Sequence, residues 1–274
     1  MVKLEIGEHN FYLDGYLHAN LENVKHNVKR NDYDSFLIVA GREGYGKSTL
    51  AAQIALFLDP TYTLDRCCFT DVQFKDACVN AEKYQAVVFD ETMGYLSARG
   101  AMSGFNRTLI KVMSEMRSKN LFVILCIPSF FELDKYPAMH RSTGLLHCYR
   151  RGRFGLYNYP SKQKLYLQGK KTYSYCVSAN FIGNFGKYFP LDKESYEKKK
   201  QKAINDFAST QEKKSKHLLQ RDYMIYDNIR RGLTTIEEEA ERNDITITTI
   251  KGVVKKMAKS EGKDAKFKGN SLEE

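Results

Sequence analysis

The run GREGYGKST, residues 41–49, matches the pattern G-x-x-x-x-G-K-[ST] in full. Glycines at 41, 44 and 46 let a backbone wrap around a phosphate and turn its N–H groups inward. Lys47 is placed to reach β- and γ-phosphates, and the Ser48 hydroxyl is the group type that ligates Mg2+ in this pattern. The apolar stretch DSFLIVAG before the run predicts a buried strand, and KSTLAAQIALFL after it predicts a helix. A helix N-terminus adds partial positive charge where an anion would lie. Gly41, Gly44, Tyr45, Gly46, Lys47, Ser48 and Thr49 are therefore the candidate nucleotide-binding residues.

A second acid-bearing strand belongs to the same chemistry. AVVFDE, residues 86–91, is four apolar residues followed by Asp90 and Glu91. Such a strand delivers a carboxylate to the C-terminal edge of a parallel sheet. Asp90 would hold Mg2+ through water. Glu91 would orient or deprotonate an attacking water. The pair separates an ATP hydrolase from a plain nucleotide-binding fold, and implies ATP and Mg2+ as cofactors.

These residues need a scaffold, and the hydrophobic patterning supplies one. Strand-like runs at 34–41, 86–91, 121–129 and 145–150 alternate with helix-like runs at 17–30, 47–58, 71–84 and 105–119. A short hairpin or lead-in is expected over 2–13, a loop with three glycines over 94–104, and Asp71 as a helix cap. Alternation of this kind predicts an α/β fold, a mainly parallel sheet covered by helices on both faces. After residue 189 the composition turns charged and helix-prone. The expected organisation is an ATPase domain over 1–189, a charged helical linker over 190–220, a compact helical unit over 221–260 and a flexible tail over 261–274.

The charge is unevenly placed. Net charge is +10 over 274 residues. Residues 1–140 hold 15 basic and 17 acidic side chains, whereas 141–189 hold nine basic and none acidic. Within that window, 149–175 interleaves seven Lys or Arg with six Tyr. A localised surplus of this kind suits a polyanion-facing surface, with aromatic rings available for base or sugar packing. The window reads as short antiparallel hairpins, with Arg150, Arg151, Arg153, Lys162, Lys164, Lys170 and Lys171 as candidate DNA contacts. No apolar run reaches the roughly 20 residues of a membrane span. No signal-peptide pattern opens the chain. The six cysteines form no CxxC pair, which predicts free buried thiols in a reducing cytoplasm, a host cytoplasm if the protein is viral.

The phosphate loop, the DE-ending strand, a helix ending in arginine and a further buried strand together resemble the RecA-like ATPases with a catalytic glutamate. Over residues 34–170 the chain is most similar to their FtsK–HerA group of DNA pumps. That group includes the packaging ATPases of membrane-containing viruses and the zonular-occludens-toxin-like assembly ATPases of filamentous phages. The stretch MRSKNLFVILCIPSFFELD carries the finer likeness. It implies Arg117 as an arginine finger reaching a neighbouring subunit's γ-phosphate, with Arg141, Arg150 and Arg151 as rivals, and a homo-oligomeric ring. The position of the group's polar sensor is Pro128 here, which cannot donate, so Ser129 beside it is the sensor candidate. The toxin-like members tend to carry a membrane segment that this sequence lacks.

Near the C-terminus, TIEEEAERNDITITTIKGVVKKM, residues 235–257, resembles a helix-turn-helix. Ile236, Ala240, Ile245, Ile250 and Val253 fall at the positions that pack the two helices. Asp244 stands where glycine usually makes the turn. Thr246, Thr248, Thr249, Lys251 and Lys255 would face DNA, with Arg230 and Arg231 adding phosphate contacts. Two functions follow as expectations. One is a DNA translocase or packaging motor of a virus or mobile element, acting on double-stranded DNA. The other is an ATP-dependent DNA-binding regulator or replication initiator. The chain has no N-K-x-D guanine signature and no room for a nuclease domain.

Overall fold

The computed structural model describes residues 1–90, 99–260, 265–268 and 271–273. Glu91 and part of the glycine-containing loop lie outside the described residues. The chain divides into two compact units, Met1–Ile204 and Asn205–Glu274.

The first unit opens with a hairpin of β1 (Val2–Ile6) and β2 (His9–Leu13), then α1 (Gly15–Asn31). A seven-stranded sheet follows, in the order β4-β5-β6-β3-β7-β8-β9. Its strands are β3 (Ser35–Gly41), β4 (Cys67–Cys68), β5 (Ala86–Asp90), β6 (Phe122–Ile127), β7 (Gly144–Arg150), β8 (Arg153–Tyr157) and β9 (Phe181–Asn184). The first five run parallel, and β8 and β9 are antiparallel additions. β3, β5 and β6 are buried at every position, as strands covered on both faces must be.

Successive residues of β3 feed opposite cores. Leu37 and Val39 join Leu17, Leu21, Leu50, Ile54 and Phe57, from α1 and α2 (Lys47–Leu58). Phe36 and Ile38 join Phe74, Leu109 and Met116, from α3 (Asp71–Asn80) and α4 (Arg99–Ser118). The connection leaving β3 thus crosses one face, and those leaving β4 and β5 cross the other. That reversal lies between β3 and β6, where open α/β sheets form a crevice at their strands' carboxyl ends.

Three local expectations are corrected. Thr70, not Asp71, caps α3, accepting from the Gln73 N–H at 3.2 Å. Helix α4 begins at Arg99, inside the stretch read as a loop. Residues 159–169 of the basic window form a helix, α5, rather than a strand, because Asn158 caps its first turn and Pro160 follows in it. Proline there sacrifices no hydrogen bond.

In the second unit, the end of α6 (Lys193–Arg230) packs with α7 (Ile236–Asn243) and α8 (Ile247–Ser260). Ile225, Tyr226 and Ile229 meet Ile236, Ala240, Ile250, Val253 and Val254 in one core. A capping box at Thr235 and Glu238 starts α7. Asp244 ends it in the left-handed conformation, φ 52°, which is why glycine is not obligatory there. Buried Glu239 is held by Asn228, Thr234 and Asn243. Lys266–Lys268 and Ser271–Glu273, in the expected tail, pair antiparallel. Among the described residues, no helix is long and apolar enough to cross a membrane.

Candidate nucleotide site

The glycine run leaves β3 at the sheet's C-terminal edge and enters α2. Gly41, Gly44 and Gly46 all have positive φ, at 147°, 75° and 90°. Only glycine takes such values freely. Gly46 caps α2 without a side-chain bond, leaving the helix's first N–H groups for another partner. A β-carbon on Gly46 would come within 2.9 Å of the Phe185 ring, so the loop has one side close-packed. Tyr45, Lys47, Ser48 and Thr49 are half-buried. Lys47 Nζ lies 3.3 Å from the Arg42 carbonyl oxygen, folded over its own loop. Behind the loop stand Cys126 and Cys148. Burial pushes the Cys148 thiol up to about 12, with Lys47 pulling the other way. Both thiols are thus neutral walls rather than reactive groups.

Asp90 arrives at the same edge from β5. Its register partner on β6 is Cys126, which is level with Val39 of β3. It shares the parity of Val88 and so faces the side covered by α2. Its side chain is 3% exposed. A carboxylate so buried needs a partner, and it has one in the hydroxyl of Tyr196, from the first turns of α6. Ser48, at the start of α2, lies beside that hydroxyl. Burial, then the adjacent Asp90 charge, push the Tyr196 hydroxyl far up.

Tyr196 escaped the sequence reading, although a signal existed. In the lysine-rich start of α6, Tyr196 and Ala203 are seven residues apart and both buried, the spacing of one helix face. The structure thus brings together Gly41, Gly44, Tyr45, Gly46, Lys47, Ser48, Thr49 and Asp90. Asp90 bonds the Tyr196 hydroxyl and Ser48 lies beside it, and both are oxygen donors of the kind a hard cation such as Mg2+ takes.

Ser129 is also at this edge. It follows β6 and caps a short 3-10 turn, with the Phe131 N–H 3.4 Å from its Oγ. Pro128 donates nothing, but its carbonyl accepts from the Gly41 N–H at 3.2 Å. Arg150, Arg151 and Arg153 are exposed at the β7–β8 turn. Cys148 is level with Gly41, so this turn projects from the same edge as the glycine run. Arg117 lies elsewhere. It ends α4, and neighbouring Asn120 bonds the Tyr33 carbonyl just before β3, at the opposite edge. Arg141 is at that far edge too, paired with Asp34.

Two proposed DNA contacts are corrected. Lys162 is fully buried, and its Nζ donates to the Ala138 and Met139 carbonyls at 2.8 and 3.0 Å. Burial holds its ammonium down at about 8. Lys170 donates to the carbonyls of Phe131 and Leu133. Both pin α5 to backbone after β6, so neither offers a free charge. Lys164 and Lys171 remain exposed. In the second unit Thr248, Thr249 and Lys255 are exposed and Lys251 is half-buried. Thr249 is engaged with Thr246 at the start of α8.

Compared with known proteins, the chain matches no protein-family model, no curated protein and no solved structure.

Proposed function

We propose that this chain binds ATP with Mg2+ on the 41–49 loop, hydrolyses it, and uses the cycle to move double-stranded DNA. The observation that supports this most is that Ser48, on the glycine loop's helix, and the buried carboxylate of Asp90 lie at one sheet edge, both beside the Tyr196 hydroxyl. Gly44 and Gly46 would turn N–H groups to the phosphates, Lys47 would leave the Arg42 carbonyl to reach them, and Ser48 and Asp90 would hold the metal. Mg2+ would supply charge neutralisation on the β- and γ-oxygens. Glu91, next along from Asp90, would orient water, and Ser129 would sense the γ-phosphate. The resemblance to FtsK–HerA pumps supports a ring, in which Arg117 or Arg150 would serve a neighbour's site. Arg150, Arg151 and Arg153 project from the nucleotide edge, which suits coupling of that edge to DNA phosphates.

A second reading is an ATP-dependent DNA-binding regulator. The specific support is the α7–α8 pair, joined through Asp244 in a short turn around its own core. Here α8 would enter the major groove with Thr248, Thr249, Lys251 and Lys255.

Equilibrium binding of ATP to the wild type and to Lys47→Ala tests the shared part. Loss of affinity in the variant is expected, and equal affinity would end the nucleotide assignment. Binding to random and selected duplexes then separates the readings. A motor binds both alike, whereas a regulator prefers a selected site by at least about 1000-fold.

A further inference from the structure

The carboxylate assigned to the metal, Asp90, already has a hydrogen-bond partner from this chain. Tyr196 is 4% exposed, and its hydroxyl donates to Asp90 and lies beside Ser48. This is a firmly mounted side chain. Its ring lies edge-on to Phe69 and Phe189, with centroids 5.3 and 4.9 Å away. Lys199, three residues on, donates to the Leu64 and Cys67 carbonyls, each at 2.8 Å. Asp192 caps the helix start through the Ser195 N–H at 2.8 Å. Buried Gln53 of α2 holds the incoming chain by the Gly186 and Tyr188 carbonyls, at 3.1 and 2.6 Å.

A hydroxyl that bonds Asp90 and lies beside Ser48 stands between the two side chains assigned to the metal. That place is also the reach of a bound cation or of its coordinated water. The aromatic hydroxyl and a hydrated ion cannot share it.

Resting on the nucleotide reading above, we propose that Tyr196 is a place-holder for the metal. It occupies the place between Ser48 and Asp90, and it withdraws with the first turn of α6 when Mg2+–nucleotide is held there. The metal-free chain thereby keeps its buried carboxylate hydrogen-bonded. The start of α6 then becomes a reporter of nucleotide state. A tyrosine that merely orients Asp90 would instead stay in place throughout.

The test is binding of a fluorescent ATP analogue to the full chain across a Mg2+ titration, for the wild type and Tyr196→Phe. Phenylalanine keeps the ring between Phe69 and Phe189 and removes only the hydroxyl. Losing a hydrogen bond to a charged group that competes with the metal is expected to lower the half-saturating Mg2+ about tenfold. Binding in EDTA should be unchanged. An unchanged or higher Mg2+ requirement overturns the place-holder alone. The wild type also carries a separate readout, amide hydrogen exchange over 193–200. Those amides should lose protection when Mg2+ and nucleotide are added together, and retained protection overturns the proposal. If neither protein binds the analogue at any Mg2+ concentration, the nucleotide reading falls and the place-holder with it. Binding by Tyr196→Phe alone supports both.

Discussion

A β-carbon on Gly41 would lie 2.3 Å from the carbonyl oxygen of Cys148. β3 and β7 therefore meet at the point where the glycine loop leaves the sheet, and no other residue fits. Gly44, by contrast, would bring a β-carbon within 4 Å of nothing among the described residues, and its φ of 75° is what restricts it. Gly41→Ala is expected to cost about 2–4 kcal/mol of stability through backbone clash and strain. Gly44→Ala should cost about 1–2 kcal/mol. Urea unfolding of both variants checks this, and equal losses would contradict the close approach.

Asp59 sets the start of the strand that ends in Asp90. It is 5% exposed, and its carboxylate accepts from the Ala86 N–H at 2.9 Å and from Arg66 at 3.0 Å. It also accepts from the Thr61 N–H and hydroxyl. Asp59→Ala would strand a largely buried guanidinium and a β5 backbone donor. The expected loss is about 3–5 kcal/mol. A loss below about 1 kcal/mol on denaturant unfolding would remove Asp59 from this role.

The basic residues divide into surface and scaffold. Replacing Arg150, Arg151 and Arg153 with alanine should lower the slope of log affinity for duplex DNA against log salt by about 2–3. Lys162→Met should leave that slope unchanged and lower stability, since two carbonyls lose their donor. The reverse pattern would restore Lys162 as a phosphate contact.

His147 gives the fold an acid-sensitive point. It stacks on Tyr175 with ring centroids 3.4 Å apart, and burial holds its imidazole down at about 4, from 6.5. The folded pKa is depressed, so the unfolded chain binds the extra proton between these values. Stability is full above pH 6.5 and falls as pH drops towards 4, by up to about 3 kcal/mol. His147→Phe should flatten that limb in urea unfolding from pH 7 to 4. An unchanged limb would assign the acid loss elsewhere.

The parallel sheet was legible because fully buried strands read as unbroken apolar runs, as in FLIVAG and FVILCI. The glycine loop was legible because its geometry depends on residue type at fixed spacing. The two α7–α8 faces were legible for the same reason, with Ile236 to Val253 recurring at helical intervals. Lys162 and Lys170 misled because composition counts a charge without saying which way it points. Lysine stems bury readily when backbone carbonyls wait for the ammonium. Tyr196 was missed because its meeting with Asp90 spans 106 residues, and no local pattern encodes a contact of that range.

The most direct measurement is ATP hydrolysis with and without long double-stranded DNA, using Lys47→Ala and Glu91→Gln as controls. The account predicts turnover that DNA of any sequence stimulates strongly and that both substitutions abolish. Slow turnover indifferent to DNA, with tight binding to one specific site, would contradict the motor and favour the regulator. No hydrolysis at all would contradict the assignment of Glu91.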